Sequence, residues 1–174
     1  MKKINRFLIF LTVLVILILI TAKSYVGGLI GIFEPTVNTA TRKYQKCQSE
    51  LSYLCKYFDN NFSEYSVVKI DLFDSANKIM CSKENSGGGY DSICYIMTEE
   101  RLIDAVELLR ENDFITILKE YNYIDFSFWG SFGKSAGLIY SADNAPNLSD
   151  INALKYDVKE LKYRGWYYAK ITYE

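Results

Sequence analysis

Four cysteines, a scatter of carboxylates and no histidine limit what chemistry this chain of 174 residues can perform. Without imidazole there is no Ser-His-Asp or Cys-His catalysis, no histidine metal ligand and no ordinary proton shuttle near neutral pH. Paired carboxylates could still cleave glycosides, which requires two of them at a defined separation. Glu99, Glu100, Glu107 and Glu111 fall on a predicted helix, the first two as its capping turn and the others on a solvated face. Asp71 and Asp125 each stand between apolar neighbours on predicted strands. No spacing selects a catalytic pair.

The cysteines read as structural. Cys47 and Cys55 are eight residues apart on a predicted helix, a rise of about 12 Å, whereas a disulfide needs Cα atoms within about 7 Å. A hairpin centred between Gly87 and Gly88 would set Ile79 opposite Ile96, Met80 opposite Tyr95 and Cys81 opposite Cys94. Cys81 and Cys94 are therefore the candidate disulfide, with Cys47 and Cys55 as buried thiols and crossed helix–hairpin pairs as the alternative. The spacing lacks the close knuckles of structural zinc, so no metal site is expected. Gly133, Lys134 and Ser135 look like the end of a phosphate loop, but Phe128 stands where the first glycine belongs and a strand pattern follows. A glycine-rich hairpin connection explains them. Asp143, Asn144, Asn147 and Asp150 lack the spacing of a calcium loop. The sequence calls for no cofactor.

Aromatic residues offer a binding surface instead. Residues 121–173 hold 13 of them. On one predicted strand Ile124, Phe126 and Phe128 share a face, leaving Tyr123, Ser127 and Trp129 on the other. On the last strand Trp166 and Tyr168 oppose Tyr167, Ala169, Ile171 and Tyr173. One face must cover the core. The other lies under a helix or presents Tyr123, Trp129, Trp166 and Tyr168 as a contact surface.

The elements that would position these residues follow from periodicity. Ala40, Tyr44, Cys47, Leu51, Leu54 and Phe58 recur at alternating spacings of four and three, predicting a helix from about Asn38 that packs on the sheet. Strands are predicted at residues 65–73, 78–83, 91–97, 123–129, 137–141 and 166–173. Thr98 is the expected cap of a second helix along Leu102, Val106 and Leu109, with residues 114–121 keeping helical spacing although residues 114–118 alone could be a strand. Residues 151–163 fit a helix or a strand.

The first 33 residues differ. Lys2, Lys3 and Arg6 precede an apolar run from Phe7 to Ile20, and a second apolar stretch, residues 25–33, follows Lys23 and Ser24. Such a run meets lipid. Its length favours an uncleaved signal anchor; the alternative is a signal peptide cleaved near Ser24, releasing a secreted protein. The basic flank places the N-terminus in the cytoplasm and the rest outside. Beyond residue 33 there are 16 basic and 21 acidic residues, a net charge of −5, which excludes nucleic-acid binding.

The expected fold class is α+β: an N-terminal transmembrane helix at residues 1–33, then one small extracytoplasmic domain at 34–174 with helices packed on one face of an antiparallel sheet. The expected function is a single-pass, membrane-anchored binding or scaffolding domain that performs no chemistry. Its partners would be membrane lipid, through residues 7–33, and another membrane or surface protein. The alternative is a secreted or membrane-tethered, carboxylate-dependent hydrolase acting on glycans.

Overall fold

The computed structural model describes residues 12, 34–74, 76–120, 122–131, 133–142, 146 and 153–173. The chain divides into two units, residues 1–34 and 35–174. The described fold is that of the second.

Among the described residues of this unit two helices, α1 (Val37–Asn61) and α2 (Glu100–Glu111), accompany eight strands: β1 (Val67–Asp71), β2 (Lys78–Glu84), β3 (Tyr90–Ile96), β4 (Thr116–Glu120), β5 (Tyr123–Ser131), β6 (Lys134–Tyr140), β7 (Ala153–Glu160) and β8 (Trp166–Tyr173). All eight form one antiparallel sheet in the order β3-β2-β1-β4-β5-β6-β8-β7. The described unit is therefore mostly one sheet. This corrects the expected fold class, a transmembrane helix followed by a small α+β domain. Among the described residues no helix is long and apolar enough to cross a membrane, and the apolar segment at residues 7–33 lies outside them.

Helix α1 begins at a reciprocal cap. The Thr36 hydroxyl accepts from the Thr39 amide while the Thr39 hydroxyl accepts from the Thr36 amide, each at 3.4 Å. The buried face of α1 is Ala40, Tyr44, Cys47, Leu51, Leu54, Cys55 and Phe58, the alternating stripe with one addition. Helix α2 buries Leu102, Ala105, Val106 and Leu109. Glu99, not Thr98, occupies its N-cap position, and its side chain makes no capping bond. Lys43 ties the helices together: it lies 5.2 Å from the Phe114 ring and 5.4 Å from the Phe128 ring and donates to the Asn112 carbonyl at the end of α2.

One continuous core joins these helices to Val68, Ile70, Ile79, Cys81, Ile117, Phe126, Leu138 and Trp166. Strict alternation along the strands makes this the helix-bearing face. The opposite face carries its own small cluster of Tyr123, Ile139 and Ala169.

Two segments that the sequence leaves open between helix and strand are strands. Residues 116–120 form a strand because they pair with β1 on one side and β5 on the other, which overrides the helical spacing of isolated residues 114–121. The ambiguous residues 151–163 supply β7. The glycine-rich segment after β5 is a hairpin connection: Ser131 pairs with Lys134, and Gly133 takes φ 73°.

The β2–β3 hairpin is offset by one residue from expectation. Ile79 faces Tyr95, Met80 faces Cys94 and Cys81 faces Ile93. The loop runs Asn85–Gly89, an odd five residues. The Asn85 side chain accepts from the Gly87 and Gly89 amides at 3.1 and 3.0 Å, and Gly88 takes φ 78°. A shift of one sends every side chain of β3 to the other face. The candidate disulfide is corrected accordingly: Cys81 is buried toward the helices, Cys94 is exposed on the other face, and all four cysteines are free.

Candidate functional site

The four aromatic residues expected to form a contact surface do not share one. Trp166 and Tyr168 are buried on the helix-bearing face. Trp166 lies 4.9 Å from the Tyr44 ring, 5.7 Å from Phe126 and 5.2 Å from Tyr140, and Tyr168 donates to the Pro35 carbonyl. Tyr123 is buried on the opposite face, donating to Glu120 at 2.6 Å. Trp129 is half-buried against the main core. Strand β5 bulges between Ser127 and Trp129, so Trp129 pairs with core residue Ala136 and joins Phe128 on the helix side. The alternation that put Trp129 with Tyr123 fails at that extra residue.

Asp125 is the acid with the most perturbed surroundings. Burial pushes its carboxyl up to about 7; a 2.8 Å hydrogen bond from Ser127 opposes the shift and the Glu120 charge adds to it. It projects over Gly137, where an added Cβ would come within 2.4 Å of its Oδ1. Asp125 pairs with Leu118 and Ile139 on the face away from the helices, so it is enclosed rather than set in a cleft open to substrate. Among the described residues no group of three Cys, Asp or Glu could hold a metal.

Among the described residues an open concavity lies elsewhere, at the β3 end of the sheet. A cleft of about 350 Å³ forms where α1 ends and α2 begins. Its floor is Ile79 of β2 with Leu102 of α2, and its walls include Tyr57, Phe62, Tyr65 and Tyr95. Ring centroids of Phe62, Tyr65 and Tyr95 lie 5.8–6.3 Å apart, tilted by 55–81° rather than stacked. The Tyr65 and Tyr95 hydroxyls bond each other at 2.6 Å, and this contact pushes the Tyr65 hydroxyl up to about 12, so it keeps its proton at neutral pH. Asn61, Glu64 and Glu99 also line the cleft, and among the described residues no lysine or arginine does. Buried Lys119 donates to the Tyr65 carbonyl at 3.5 Å without lining it.

Beside the cleft runs β3, one of the two sheet edges. All seven of its residues are exposed, including Tyr90, Ile93, Tyr95 and Ile96, the last at 71%. Among the described residues no strand pairs with its outer side. The two edges differ in character. Strand β7 carries Lys155, Asp157, Lys159 and Glu160 and a register shift beside Lys155, the usual devices against unwanted pairing. Strand β3 carries one charge, Asp91, and no proline or bulge.

The sequence missed this site because its parts are far apart in the chain. Residues 57–65, 79 and 95–102 meet only once the hairpin and α2 are placed, and the aromatic count over 121–173 pointed to the other half of the sheet. The one local signal was the apolar composition of Ile93, Tyr95 and Ile96 without a lysine. No protein-family model, curated protein or solved structure matches the chain.

Proposed function

We propose that this is a binding or scaffolding domain that performs no chemistry and takes hold of a protein partner through β3 and the adjoining aromatic cleft. The observation that carries the reading is the contrast between the edges. A long apolar edge strand is a liability that folded proteins guard against, as β7 is guarded here. Leaving β3 unguarded beside an aromatic cleft is what strand addition by a partner requires: backbone bonds hold the added strand, and a cleft receives alternate side chains.

The reading extends to location. The apolar run at residues 7–20 and its basic flank support tethering to a membrane, with the acidic domain on the side away from the cytoplasm. The partner is then a protein of the same membrane or of its outer surface.

The test places a photo-reactive amino acid at position 93 on β3 and, separately, at position 156 on β7, in the full chain within its own membrane. Position 93 should yield a cross-linked heterologous product that Ile96→Lys abolishes, and position 156 should not. Equal products from both edges, or none from position 93, would refute the assignment.

A further inference from the structure

We infer that the aromatic cleft receives a lysine side chain from an extended segment paired along β3. This inference rests on the edge-binding reading above and adds the chemistry of what is bound.

Charge decides the occupant. Glu64 and Glu99 line the cleft, with no cation among the described residues that line it. The carboxyl end of α1 also reaches it at Asn61, and no basic residue stands in that helix's last turn. The partial negative charge of a helix C-terminus favours a cation nearby. The positive end of α2 does not cancel this, because Glu99 and Glu100 already stand there. Glu99 is held in place by the Tyr53 hydroxyl at 2.7 Å. Glu64 pairs with Lys83 at 3.0 Å, but both partners are more than half exposed, and such a pair gives way readily to a better cation. Tyrosine and phenylalanine rings attract an ammonium through their faces, and the attraction grows as water is excluded.

Geometry agrees. Tyr95 and Ile93 alternate on the helix-bearing face of β3, and Tyr95 is itself part of the cleft wall. An added strand would lie about 4.8 Å beyond β3, and its side chains on that face would project beside Tyr95. A lysine there can lay its methylenes along the rings and bring its ammonium to the carboxylates.

A second copy of this chain fits less well. Strand β3 offers no cation of its own, only Asp91, so self-pairing would bring a further carboxylate to the acidic cleft.

The probes are three ten-residue peptides of alternating valine and threonine, with lysine, norleucine or glutamate at one central position. Each is titrated onto the full chain in detergent micelles by calorimetry. The lysine peptide should bind about tenfold more tightly than the norleucine peptide, and the glutamate peptide more weakly still. Glu64→Gln and Glu99→Gln should each narrow the lysine–norleucine gap, weakening the lysine peptide more than the norleucine peptide. Equal affinity for lysine and norleucine would overturn the inference and leave the edge reading intact. Failure of all three peptides to bind at millimolar concentration would remove both. A dimer in light scattering that Ile93→Lys abolishes would assign the edge to a second copy and overturn the lysine assignment.

Discussion

At the scale of the residue, Asp125 gives the clearest handle on pH. Its carboxyl titrates near 3.8 in an unstructured chain and at about 7 in the fold, chiefly because burial disfavours the charged form. The folded state therefore keeps a proton that the unfolded state has released, and stability falls as pH rises from about 4 to about 7. Above pH 7 the cost is complete and amounts to about 4 kcal/mol. Asp125→Asn should remove it: the variant's advantage should grow between pH 4 and 7 and then level off in urea titrations at a series of pH values. An advantage independent of pH would mean that the carboxyl is ionised throughout the range. The sequence showed Asp125 between apolar neighbours and suggested an outward residue. It could not show the enclosure, because the Ile139 and Gly137 positions beside it come from β6.

At the scale of the element, the β2–β3 hairpin decides the cysteine chemistry. The sequence located both strands and the glycine turn to within a residue, yet the disulfide depended on register. Two turn centres differing by half a residue give opposite faces for Cys94. The selecting group is the Asn85 side chain, whose two hydrogen bonds to Gly87 and Gly89 close an odd loop. Protein purified without reductant should therefore show one fast thiol in the native state, Cys94, and four after denaturation. Two or fewer thiols in the denatured protein would contradict this register. The α1 stripe was legible because a heptad pattern needs no partner to be recognised. Strand β4 was legible only as an alternative to a helix, because five residues acquire their identity only from the neighbours that pair with them. The bulge in β5 hid the placement of Trp129 for the same reason.

At the scale of the whole molecule, a single core spans both halves of the sheet. Helix α1 touches Trp166 through Tyr44 and continues along the sheet to Phe58, and Phe62 just past its end lies beside the β3 end. The halves should therefore unfold together. Fluorescence of Trp129 and Trp166, which reports the β5–β8 half, should trace the same urea transition as the far-ultraviolet signal of all elements. Separate midpoints would mean that the β1–β3 half opens on its own. What the sequence left invisible at this scale was strand order: the charges of residues 153–160 suit an edge strand, but nothing in residues 90–96 says that they form the other edge. The contrast between those edges is the basis of the functional reading.

That reading is tested most directly by amide hydrogen exchange along β3, measured for the full chain in its own membrane and again after purification. If β3 pairs with a partner strand, its amides should exchange slowly in the membrane and quickly in the purified chain, while β7 exchanges at the same rate in both. Equal exchange of β3 in the two states would contradict the account, because the edge would then be unoccupied where the protein works.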